Sequence, residues 1–92
     1  MQANMQDGVI GWTQASVAGV PQQRFVARVG EVEVGAVEYD GTNRLWTWSS
    51  PLDIEAWGHA PTENGAKQAF EIWLRGWLEA FRPFFEARSD PS

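Results

Sequence analysis

The sequence predicts an α+β fold: an antiparallel three- to four-stranded meander with one long amphipathic helix packed on one face. Three observations carry that prediction. Apolar and polar residues alternate with period two over much of 24–49. Glycine- and Asx-rich turn signals separate those stretches. From Glu63 to about Phe81 the period changes to 3.6. Ninety-two residues hold one small domain, with no internal repeat. We expect a flexible N-terminal arm over residues 1–8, the domain over residues 9–82 and a C-terminal tail over residues 83–92.

Taken in order, Val9 to Val20 is mildly apolar, is anchored by Trp12 and is open to a first strand before a turn at Gly19 and Pro21. Phe25, Ala27 and Val29 alternate with Arg24, Val26 and Arg28, close to a strand pattern, and Gly30-Glu31 suits a tight reversal. In Glu31 to Tyr39, Val32 and Val34 point one way and Glu31 and Glu33 the other. Past Gly35 the apolar set becomes Val37 and Tyr39, a phase shift that predicts a β-bulge or bend. Asp40-Gly41-Thr42-Asn43 is a turn, and Trp46 and Trp48 share one face of the returning strand.

Pro51 to Pro61 reads as a connection. Thr62 is placed to cap a helix, with Glu63 in the first turn where the helix dipole favours an acid. Ala66, Ala69, Phe70, Trp73, Leu74, Trp77, Ala80 and Phe81 fall on one helical arc. Gln68, Glu71, Arg75, Glu79 and Arg82 fall on the other, with Glu71 and Arg75 spaced as an i,i+4 pair. Ile72 and Leu78 sit at the edges of the polar arc, and Pro83 ends or kinks the helix.

Composition narrows the function classes. Twelve acids against seven bases leave a net charge of −5, which disfavours phosphate-neutralising contacts with nucleic acid and docking on an anionic membrane. No apolar run exceeds three residues, far short of the roughly 20 needed to span a bilayer. Met1 to Gln6 lacks the basic start and apolar stretch of a signal peptide, so the expected location is the cytoplasm. The absence of cysteine removes disulfides and thiolate metal sites. Six tryptophans, five phenylalanines and one tyrosine compensate for a thin core and leave some ring surface for an interface.

Catalytic constellations are sparse. His59 is the only histidine, and no Gly-x-Ser-x-Gly elbow or glycine-rich phosphate loop occurs. Asp53, Glu55 and His59 are close in sequence and carry the right donor atoms for a divalent ion, but in no recognised metal spacing. Glu31 and Glu33 would lie about 7 Å apart at Cα on one strand face, a spacing open to a carboxylate pair but simpler as a solvated face. We therefore expect no cofactor and no catalytic or metal site. Trp46, Trp48, Trp73 and Trp77 read as one core cluster, whereas Trp12 and Trp57 are equally compatible with an interface rim.

The sharper candidate is a binding surface. Glu31, Glu33, Glu38 and Asp40 lie on one strand and its turn, and Asp53 and Glu55 with Trp57 follow in the connection. Facing outward together they would form a negative patch suited to a positively charged groove on another protein. An ordinary solubilising face is the simpler alternative. Self-association through surplus aromatics with Ile72 and Leu78 is the second possibility, and direct nucleic-acid contact through Arg24, Arg28 and Arg44 the last.

Residues 24–81 resemble a loose group of small phage and proteobacterial proteins in five pieces: Val29-Gly30, Val34-Gly35, Trp46-Thr47-Trp48, Gly58-His59-Ala60-Pro61-Thr62 and Ala66-Lys67-Gln68-Ala69-Phe70. That likeness implies a fold and transfers no functional residue. In size, acidity and lack of a catalytic set the chain also resembles, by type rather than motif, phage anti-CRISPR proteins. This likeness implies a non-enzymatic inhibitor that binds a basic CRISPR-Cas effector subunit stoichiometrically in the host cytoplasm. A self-associating structural or adaptor domain, seen as a homodimer, is the alternative.

Overall fold

A computed structural model describes residues 10–84. Five strands precede one helix: β1 (Gly11–Val17), β2 (Val20–Val29), β3 (Val32–Asp40), β4 (Leu45–Ser49), β5 (Trp57–Ala60) and α1 (Glu63–Glu79). Every strand pairs antiparallel with its sequence neighbour, giving one sheet in the order β1-β2-β3-β4-β5. The α+β class and the helix agree with the sequence expectation, while the sheet has five strands in place of three or four. The expected arm over residues 1–8, and the part of the expected tail beyond residue 84, lie outside the described residues.

The additional strand is β5, inside the stretch that reads as a connection. Its pattern is inverted: the large residues Trp57 and His59 are exposed, and Gly58 and Ala60 turn inward. Small residues are required there, because a Cβ on Gly58 would lie 2.7 Å from Nε1 of Trp48. A strand whose buried face is glycine and alanine carries no alternating hydrophobic signal.

The bulge forms where the phase shift places it. Ala27 faces Gly35 and Arg28 faces Glu33, so Val34 is the extra residue of β3. Both Val34 and Gly35 are buried, and Phe70 of α1 fills the space above Gly35. The helix crosses β3, β4 and β5. Ala66, Phe70 and Leu74 are its fully buried residues, meeting Ala27 and Val34 at one end of the core and Val37 and Ala60 at the other. Ala80 and Phe81 are exposed beyond this contact, so the arc expected to be buried ends a turn early.

Thr62 caps α1 as expected, its Oγ1 accepting from the Gly65 amide at 2.9 Å. At the other end, the Ala80 amide reaches Gly76 and Trp77 carbonyls and the Phe81 amide reaches Leu78, a tightened last turn. Helical backbone resumes at Arg82, so the chain breaks just ahead of Pro83.

Aromatic rings run along the seam between helix and sheet. Trp12 meets Phe70 edge-on at 5.6 Å, and Trp48, Phe70, Trp73 and Trp77 follow as a tilted series. Trp46 stands apart from this series, against Phe25 and Tyr39. Trp12 is a seam residue, its indole donating to Glu71 Oε2 at 3.0 Å. Glu71 therefore turns to the sheet rather than to Arg75.

The helical pattern gives Lys67 no role, yet its ammonium lies 4.1 Å from the Phe25 ring centroid and 5.3 Å from that of Trp12. Glu63 neutralises it at 2.7 Å. Cation–π contacts of this partly desolvated kind contribute about 1 kcal/mol. Lys67→Met keeps the aliphatic stem but removes the charge, and is expected to lower stability by about that amount. Urea unfolding checks this; an unchanged midpoint would assign Lys67 to packing alone.

Candidate partner-binding surface

Among the described residues, the sheet has one face under α1 and a second, open face on which no other element packs. On the open face the register aligns Arg24 of β2 with Glu38 of β3, Thr47 of β4 and His59 of β5, and Arg28 with Glu33. Arg24 Nε and Glu38 Oε1 are 3.9 Å apart. The acids of β3 are thus interleaved with arginines across the strands, and the open face carries mixed charge rather than one negative patch. Between the two charged rows lies Thr13-Val26-Ala36-Ser49-Trp57, in which Val26 and Ala36 are buried and Trp57 is exposed at the edge. Trp57 meets His59 edge-on at 5.5 Å.

The seven candidate residues separate into groups. Asp40 belongs to the β3–β4 turn: Oδ1 accepts from the amides of Thr42 and Asn43, and Oδ2 from the Asn43 side chain at 2.8 Å. Those bonds, the Asn43 side chain first, hold the Asp40 carboxyl below its ordinary value. A depressed native value means that the turn's contribution is complete above the unfolded carboxyl range and is lost as pH falls through the lowered one. We expect the Thr42 and Asn43 amide shifts to titrate below an unstructured aspartate, and Asn43→Ala to raise that midpoint. An unshifted midpoint in an NMR acid titration would contradict the turn geometry. Glu38 stands near this end of the sheet.

Glu31, Glu33, Asp53 and Glu55 gather at the other end. Glu31 is in the two-residue β2–β3 turn, and Glu33 follows Val32 on β3. Asp53 and Glu55 lie in the β4–β5 loop. Buried Ser50 joins that loop to the bulge: its hydroxyl donates to the Val34 carbonyl at 2.6 Å and accepts from the Leu52 amide at 3.1 Å. Asp53 shapes the loop in turn, accepting from the Glu55 amide through Oδ1 and from the Ala56 amide through its carbonyl.

Between hairpin, loop and helix end opens a groove of about 300 Å³, lined by Val29, Val32, Val34, Leu52, Leu74, Trp77 and Leu78. Its walls are almost wholly apolar. Val32 lies between Glu31 and Glu33 in sequence, with Glu33 turned to the open face opposite Arg28, and Leu52 adjoins Asp53; none of the described lining residues is itself an acid. One wall is the C-terminal end of α1, where the helix dipole is negative and the last turn carries no basic residue. Ile54, between Asp53 and Glu55, is 93% exposed. Leu78 is thus a groove residue, while Ile72 is exposed on the outer side of the helix. Two other concavities, at the Asp40 end, have mixed linings that include Glu38, Tyr39 and Arg24.

Sequence reasoning named the acids and missed the groove. Its floor comes from four separate segments, and only Leu78, off the helical arc, hinted at it. The metal candidates do not converge: Asp53 is bonded within its loop, and His59 Nδ1 is 3.2 Å from Thr47 Oγ1 on β4. Among the described residues, no group of three or more His, Asp or Glu side chains is placed to hold a metal ion. Among those same residues, no helix is long and apolar enough to cross a membrane.

The chain matches no protein-family model, and neither the curated proteins nor the solved structures contain a significant match to it. Function therefore rests on the chemistry of this surface.

Proposed function

We propose that this chain is a non-enzymatic binding domain that docks a basic protein partner at the end of the sheet where the groove opens. One observation carries the reading: an apolar groove, with the negative end of a helix as one wall, opens at the end of the sheet whose turn, strand and loop carry Glu31, Glu33, Asp53 and Glu55. The apolar floor supplies burial, and the acids at that end of the sheet favour a cation-bearing occupant. The matching chemistry is an amphipathic helix with aliphatic residues on one side and Lys or Arg along its flanks. A net charge of −5 adds long-range attraction in the same direction.

The narrower form makes the partner a CRISPR-Cas effector subunit and this chain its stoichiometric inhibitor in the host cytoplasm. Size, acidity and the acids at the groove end of the sheet support that form. Tagged pull-downs from bacterial lysates expressing CRISPR effectors test it, using the parent, a Glu31→Lys/Glu33→Lys/Asp53→Lys/Glu55→Lys variant and a Glu38→Lys control. The expected result is near-stoichiometric recovery of one effector by the parent and the control, and loss in the fourfold variant. Equal recovery by all three contradicts a role for these acids. A parent that recovers no effector removes the inhibitor form for the effectors tested.

A further inference from the structure

Two edges bound the sheet, and they differ in protection. The β5 edge is four residues long and is followed at once by Pro61. Short length and proline are both common guards against unwanted strand pairing. The β1 edge is seven residues long and contains neither proline nor charge. Charge is absent from Gly8 to Gln23, between Asp7 and Arg24, the longest uncharged run in the chain. The irregularity between β1 and β2 leaves β1 itself continuous, because the register advances two residues on β1 and four on β2. Among the described residues, no backbone hydrogen bond outside the strand ladders reaches residues 11–17. Residues 16–21, at the tip of this hairpin, are all exposed, with Val17 at 65% and Val20 at 58%.

We infer that β1 pairs antiparallel with β1 of a second copy, forming a ten-stranded sheet continuous across a two-fold axis. The charge distribution selects this occupant. A basic partner is drawn to the acids, which lie elsewhere. A second copy carries the same net −5, and along the β1 edge, the longer of the two uncharged edges, the two can approach with no like charges facing each other. An antiparallel strand pair is self-complementary about a two-fold axis, as an isologous interface requires. Centred on Gln14, the midpoint of β1, every cross-strand neighbour is uncharged. The axis runs perpendicular to the sheet, so both helices lie on the same face and the two grooves point in opposite directions.

The test is light-scattering mass against concentration for the full chain and for a Thr13→Lys/Gln14→Lys variant. The two lysines place like charges across the proposed axis, on side chains exposed in the single copy. The expected result is a parent of twice 10.3 kDa that dissociates on dilution, and a variant whose mass is halved with an unchanged circular dichroism spectrum. Hydrogen exchange supplies a second reading that needs no variant: β1 amides become protected as concentration rises. A parent that stays monomeric over about three decades of concentration overturns the inference. So does a variant that remains dimeric, or protection that rises elsewhere while β1 is unaffected. The lysines leave groove and acids untouched, so loss of the dimer and loss of partner binding are read separately.

Discussion

Gly35→Ala is expected to destabilise the protein by about 3 kcal/mol, near the upper range for overpacking a core. The new Cβ would lie 2.2 Å from Cε1 of Phe70 and 2.5 Å from its Cζ. Phe70 cannot swing aside, because its ring is fully buried and hemmed by Trp12, Trp48 and Trp73. Relief must come from lifting α1 off the bulge. Shortening the opposing side chain should recover part of the loss, so Gly35→Ala/Phe70→Leu is expected to lie well above the sum of its single variants. Urea unfolding of the four proteins in this cycle measures the coupling. Strict additivity, or a loss below about 1 kcal/mol for Gly35→Ala, would show that the helix does not seat here.

Ser50→Ala should cost about 1–3 kcal/mol, the usual range for leaving a buried polar group without its partner. The substitution removes the donor to the Val34 carbonyl and the acceptor of the Leu52 amide in one step. Its consequence extends past stability. Without this link the β4–β5 loop loses its attachment to the bulge, and Leu52 loses its placement in the groove. We expect faster amide exchange over residues 50–56 with little change in β1 and β2. Uniform acceleration over the whole sheet would instead make Ser50 a general core residue.

Much of the fold is legible because burial imposes a period. Phe25, Ala27 and Val29, then Trp46 and Trp48, are spaced by the strand repeat. Ala66, Phe70 and Leu74 are spaced by the helix repeat. Even the bulge is visible, as a phase change at Gly35. β5 is hidden because its inward positions are Gly58 and Ala60, chosen for space beside Trp48 rather than for hydrophobicity. The binding end is half legible for a related reason. Acids announce themselves one at a time, but whether they share a surface depends on which ends of which strands meet. Asp40 and Glu31 are nine positions apart on one hairpin arm and finish at opposite ends of the sheet. The pairing of Arg24 with Glu38 needs the β2–β3 register, which a period alone does not specify.

The most direct test of the groove is an NMR titration of the labelled chain with a synthetic amphipathic helical peptide built from leucine and lysine. The account predicts saturable shift changes concentrated at Val32, Leu52, Ile54, Trp77 and Leu78, weakened at least about tenfold in the Glu31→Lys/Glu33→Lys/Asp53→Lys/Glu55→Lys variant. Shift changes centred on Glu38 and Asp40, or an affinity indifferent to the four reversals, would contradict it.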